Sequence, residues 1–275
     1  MSLPSDTNVY EHGVAGEGDQ KLPSLRILAT GRLPIYSGFT LTIVDGNGQS
    51  LNERAAHLAN VGGAHASADY FEESDLRYCV LATLYHLNRL IDLYVENTRL
   101  FERTYPPGTA AKGNVWNASV FYEIDAFLGA ARRVYESIRK VLWKHYQGRG
   151  TTGRWSSIRK VLNATSNVPA SFLISLTDSW QTVGDKLTAY RDFVAHYEPL
   201  SDGGNTCWLE RYDGKWGVTV KLPANPEAQS RGCFDFMSGP EALEYCHSVA
   251  CHLVELCELL EAEPEIRSYL DNPPP

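Results

Sequence analysis

No stretch of this 275-residue chain approaches the roughly 20 consecutive apolar residues that a bilayer-spanning helix needs. The start, Met1 to Gln20, is polar and glycine-bearing and lacks a basic stretch followed by an apolar one, so the chain is expected in the cytoplasm and away from membranes. Positive charge is also short. Lys and Arg number 25 against 33 Asp and Glu, a formal net charge of -8, which argues against a surface coated for nucleic acid. Six cysteines occur (Cys79, Cys207, Cys233, Cys246, Cys251, Cys257), but there is no C-x-x-C pair and three fall in one expected helix. That pattern favours reduced thiols over a disulfide framework. No internal repeat is visible.

What is present is helical periodicity. Apolar positions Leu76, Val80, Leu84, Leu87, Ile91 and Tyr94 recur at steps of three and four, which predicts a long helix over about 72–102 that ends at Pro106–Pro107. A second long helix is predicted over about 115–146, with Phe121, Ile124, Leu128, Ala131, Tyr135, Ile138 and Leu142 as its buried stripe. A shorter one follows over 154–162. The cleanest stripe alternates steps of three and four through Leu173, Leu176, Trp180, Val183, Leu187, Tyr190, Val194 and Tyr197, and Pro199 disfavours helical geometry beyond it. A last helix over about 239–261 carries Leu243, Cys246, Val249, Leu253, Leu256 and Leu260.

Between the last two helices the period changes. Thr206 to Tyr212 and Trp216 to Leu222 flank Asp213–Gly214–Lys215, which predicts a β-hairpin at about 205–223. Phe39, Leu41 and Ile43 alternate with threonines, which predicts a strand in a small segment over 25–70; residues 1–24 and 266–275 read as tails. The expected fold class is therefore mainly α: an antiparallel up-and-down helical bundle over 71–265 with a small appended β-hairpin or sheet.

Several constellations carry candidate chemistry. Arg191, Asp192 and His196 put a permanent cation, an acid and an imidazole in the closing turns of a core helix. On an ideal helix positions five apart diverge by about 140°, so one site holding both Arg191 and His196 needs a loosened helix end or a second copy across a dimer axis. Between Arg132 and Lys160 lie nine basic residues against the single acid Glu136. Arg149, Arg154, Arg159 and Lys160 are the candidate RNA contacts in that stretch, which otherwise reads as a solvated face. Gly148–Arg149–Gly150–Thr151–Thr152–Gly153 satisfies G-x-G-x-x-G but follows a helix rather than a strand, so it reads as an interhelix loop. Cys246–His247 and Cys251–His252 lack a second ligand pair at zinc spacing, and no metal or other cofactor is expected. Trp208 and Trp216 flank the hairpin turn and either stack on bases or pack across the strands.

Long antiparallel helices, then a helix ending in arginine, a polar residue, three more residues and histidine, then a short hairpin and a last amphipathic helix, resemble the HEPN superfamily (higher eukaryotes and prokaryotes nucleotide-binding). The resemblance covers roughly 72–261, and its motif matches Arg191, Asp192 and His196. It implies a bundle of HEPN type and metal-independent cleavage of single-stranded RNA at a site built by a homodimer, in a toxin or defence setting with an antitoxin or other protein partner. For members without turnover it implies binding of RNA, a nucleotide or a protein. An earlier acid often assists in this family, and Glu123 or Asp125 could serve. A tyrosine two places after the histidine, found in some antitoxin-regulated members, is replaced here by Glu198.

Overall fold

The computed structural model describes residues 8–12, 25–29, 41–43, 51–61, 70–104, 113–114, 118–146, 156–163, 168–196, 200, 207–212, 215–228 and 230–271. The protein is mainly helical. In chain order its helices are α1 (Leu51–Val61), α2 (Tyr70–Thr104), α3 (Ala118–Tyr146), α4 (Ile158–Leu162), α5 (Ala170–Ser179), α6 (Asp185–His196), α7 (Ala242–Ala262) and α8 (Pro264–Asp271). One turn of π-helix, Trp180–Gly184, joins α5 to α6 without a break.

The strands are short. Asn8–His12 (β1) pairs antiparallel with Leu25–Ala29 (β2), which pairs with Leu41–Ile43 (β3). Gly113–Asn114 (β4) pairs with Cys207–Tyr212 (β5), which pairs with Lys215–Val220 (β6). β1 falls inside the stretch that the sequence reads as a tail. In the β5–β6 register Trp208 stands opposite Thr219 and Trp216 opposite Arg211. Since neighbouring positions alternate between the faces of a strand, this register puts positions 208 and 216 on opposite faces of the hairpin; their side chains lie outside what the structure describes.

The two long helices run antiparallel: Ser137 reaches the Cys79 sulfur at 3.8 Å, and further along α2 His86 meets Glu123 at 2.8 Å. Every residue of the α3 stripe is buried, from Phe121 to Leu142, and so is every residue of the α7 stripe from Leu243 to Leu260. Each such Leu, Ile or Phe contributes about 1.5–3 kcal/mol by leaving water. α7 is the hub, packing against α1, α2, α3 and α5. Arg54 grips the Glu258 carboxylate with two hydrogen bonds, at 2.9 and 2.6 Å, and so ties α1 to α7. Pro264 opens α8 at a position whose missing N–H is harmless, and Ile266 is buried, so helix occupies part of the stretch that the sequence reads as the C-terminal tail.

One buried carboxylate organises the junction of helices and hairpin. Glu241 caps the N-terminus of α7 by accepting from Glu244 N (3.0 Å), and it also accepts from Tyr94 Oη (2.5 Å) and Val220 N (3.1 Å). Burial raises its pKa, and these three donors work against that shift.

The α5–α6 rod departs from the predicted stripe. Leu173 and Val194 are only half-buried, whereas Phe172, Ser179, Gly184 and Phe193 are buried. A π turn holds more residues than an α turn, so adjacent residues face inward at both of its ends, Ser179 with Trp180 and Val183 with Gly184. Phe193 takes the inward place expected of Val194 because Phe234 covers it, ring centroids 4.6 Å apart. Tyr197, the last residue of the expected stripe, lies outside the described residues.

Candidate functional site at the end of α6

Helix α6 is fixed by what it buries. Leu187, Tyr190 and Phe193 face the core. Tyr190 donates from its hydroxyl to Pro223 O at 2.6 Å and meets Tyr245 edge to face at 5.3 Å, while Tyr245 donates to Val183 O at 3.1 Å. The loop after β6 is thereby held alongside α6. Asn225 braces that loop by donating to Cys233 O (2.9 Å) and accepting from Asp235 N (2.8 Å).

Between α6 and residues 226–228 opens a cleft of about 810 Å³. Asp185, Lys186, Asp192 and His196 of α6 line it, with Arg159 of α4 and Glu227 of the loop. Asp185, Ala189, Asp192 and His196 follow one another at steps of four, three and four, so they share a helix face. Arg159 donates to Asp185 across the mouth.

Of the motif, Asp192 and His196 therefore meet in one cleft. Arg191 is exposed, does not line the cleft, and donates from Nη1 to Asp192 Oδ1 at 2.7 Å. Among the candidate RNA contacts, Arg159 lines the cleft and Lys160 is exposed on α4; Arg149, Arg154 and the glycine-rich loop lie outside the described residues. The basic stretch is less available than its composition suggests. Arg132 and Arg139 both pair with Glu136, at 2.7 and 2.6 Å, and Arg132 also lies over the Trp180 ring at 5.5 Å.

The two earlier acids differ sharply. Glu123 is engaged with His86 in the seam between α2 and α3. Asp125 has a buried carboxylate oxygen with no hydrogen-bond partner, and burial pushes its pKa up to about 6. An acid left in that condition is a candidate proton carrier. Cys246 is fully buried, and no cluster able to hold a metal occurs among the described residues. None of the described helices is long and apolar enough to cross a membrane.

Sequence reasoning passed over Asp185, Lys186 and Glu227. The steps back from His196 could have found Asp185, but nothing local marks Glu227, which reaches the cleft only through the fold of its loop. Comparison with protein-family models, with curated proteins and with solved structures returns no match.

Proposed function

We propose that this protein acts on RNA at the end of α6, as a metal-independent endoribonuclease of the HEPN kind whose complete site is built by two copies. The observation that carries the reading is the position of Asp192: it binds Arg191 at 2.7 Å and shares a cleft with His196. One carboxylate thus holds the cation and lies on the cleft that the imidazole also lines.

In this reading His196 accepts the proton of a 2′-hydroxyl or protonates the departing 5′-oxygen. Arg191 stabilises negative charge on the five-coordinate phosphorus, and Asp192 orients it. Arg191 projects off the cleft face, so it serves the phosphate bound beside a neighbouring copy, while Arg159 supplies the cation inside the cleft. A toxin or defence setting with a protein regulator belongs to the same reading.

A second reading is favoured by the charge of the cleft. Asp185, Asp192 and Glu227 outnumber Arg159 and Lys186 in its lining, which leaves no excess positive charge to attract a bare phosphate. This balance suits a non-catalytic module that holds a nucleotide or a polar partner without turning it over.

Incubation of single-stranded RNA with the protein in EDTA separates the two. Cleavage should occur, should fall by about 10²-fold or more in His196→Ala, and should be missing on a DNA strand that has no 2′-hydroxyl. Equal cleavage by parent and variant, or cutting of DNA at a similar rate, overturns the catalytic reading. Binding with no cleavage by either protein selects the second.

A further inference from the structure

The α2–α3 pair carries a second stripe on the side away from the core. On α2, Tyr78, Leu81 and Tyr85 are 61%, 42% and 62% exposed, and on α3 Tyr122 is 68% exposed. Two contacts set the register of the pair: Arg133 lies over the Tyr78 ring at 5.8 Å, and His86 meets Glu123 at 2.8 Å. Tyr85 of α2 and Ala126 and Gly129 of α3 fall between these contacts, so they lie alongside one another in the seam. Arg89 and Tyr122 follow just past the second contact. The seam is thus a hollow floored by small residues and walled by tyrosines, with an arginine at each end.

Gly129 is the informative position. A Cβ added there would meet no atom within 4 Å, so nothing in the single chain requires glycine. The missing side chain leaves room beside the rings for a flat group to lie against bare backbone. Charge narrows what that group belongs to. Arg133 is exposed, and the acids beside Arg89, Asp92 and Glu96, stand off at 3.5 and 3.9 Å, too far for good hydrogen bonds, so both arginines are open to an anion. Glu123 is held by His86.

We infer that this face is a stacking platform for single-stranded nucleic acid, with unpaired bases on Tyr78, Tyr85 and Tyr122 and phosphates at Arg89 and Arg133. Exposed rings interleaved with cations are what proteins use to hold a strand without reading its sequence, because every base has a flat face. A protein partner is the alternative occupant. Arginines at both ends, with Leu81 the single exposed aliphatic side chain among the rings, favour a polyanion carrying flat groups. The platform is short. Tyr78 and Tyr85 stand two turns apart, about 10.5 Å along α2, and Tyr122 lies across a seam between helices whose axes are about 8–10 Å apart, so it takes about three bases. A short track agrees with a chain whose net charge is -8. Tyr135, which meets the π turn, lies about 140° around α3 from Tyr122, so platform and α6 cleft occupy different sides of the bundle and neither blocks the other. The platform gives the proposed action on RNA a second foothold, and it does not depend on cleavage.

Fluorescence anisotropy of a labelled thymidine DNA strand of about 12 nucleotides tests the platform on the full chain, since DNA lacks the 2′-hydroxyl that cleavage at α6 would need. At about 50 mM salt the parent should bind with a Kd of about 1–100 μM. Tyr85→Ala and Tyr122→Ala should each weaken binding about tenfold, whereas Tyr85→Phe, which keeps the ring, should bind like the parent. Gly129→Gln meets open space in the single chain, so it should keep its helical circular dichroism and still lose affinity to a similar degree. Arg133→Ala should reduce the slope of log affinity against log salt by about 0.7. Ile174→Ala, at an exposed apolar residue elsewhere, should change nothing. A parent that does not bind the strand, or alanine variants that bind it like the parent, overturns the inference and leaves the rings to a protein partner. Equal binding of the same strand in a duplex, whose bases are already stacked, overturns it too. Loss of the RNA cleavage claim with this binding intact strikes the α6 reading alone, and the reverse result strikes only the platform.

Discussion

The two sides of α3 use the same residue types to opposite ends. On the inner side Tyr135 is buried, its hydroxyl hydrogen-bonds Ser179 Oγ at 2.7 Å, and its ring meets Trp180 edge to face at 5.2 Å. The glycine across from it, Gly184, has no room for anything larger: a Cβ would lie 2.8 Å from Trp180 Cε3 and 3.0 Å from Tyr135 Cζ. On the outer side Tyr122 stands in water and Gly129 faces open space. Within the single chain Tyr135 and Gly184 have a packing reason, whereas nothing would meet a Cβ at Gly129. A glycine is thus informative when its Cβ would clash and equally so when it would touch nothing.

The contrast can be broken at its inner edge first. Glu241→Ala removes the shared acceptor of three buried or half-buried donors and uncaps α7, so chemical denaturation should show a loss of about 3–5 kcal/mol. A loss under about 1 kcal/mol would mean that water or relaxation replaces those bonds. The glycines sharpen the contrast through one substitution made twice. Gly184→Ala should lose about 1–3 kcal/mol through overpacking, whereas Gly129→Ala, measured where the chain is monomeric, should gain about 0.5–1 kcal/mol of helix propensity. Equal effects would erase the distinction between the two sides.

A smaller effect is expected at Asp125, half-buried between those extremes. Its folded pKa of about 6 lies above the ordinary 3.8, so the folded protein holds a proton that the unfolded chain has released. The stability tied to it is complete below about pH 4 and is lost as pH rises through about 6. Asp125→Asn should therefore stabilise the protein by about 1–2 kcal/mol at pH 7–8, allowing for solvent screening, and flatten this part of the pH profile. A parent whose stability does not fall between pH 4 and 6 would contradict the assignment.

Much of the helical core could be read in the amino-acid order, because burial imposes a period that any window of the chain displays. The stripes from Phe121 to Leu142 and from Leu243 to Leu260 are cases in which one face stays against the core for the whole helix. Where the reading failed, the cause lay elsewhere in the chain. Val194 yields its inward place to Phe193 because Phe234, some forty positions later, supplies the cover. α1 escaped notice because it is short and its burial depends on α7, reached through Arg54 and Glu258. Of the site, Asp192 and His196 were visible as a motif. The divergence of His196 from Arg191 followed from helix geometry, but the opposite wall at 226–228 did not, since no period or spacing announces a loop braced by Asn225.

The wide turn at Trp180–Gly184 gives the rod a place where length is decoupled from aim. A residue gained or lost there changes the girth of one coil and leaves the angular phase of α6 intact. Loss of a residue within α6 itself would swing His196 about 100° around the axis, out of the cleft. Chain-length variation in this rod is thus tolerable upstream of Asp185 and ruinous beyond it, so the direction in which the helix end points is insulated from the segment that carries it.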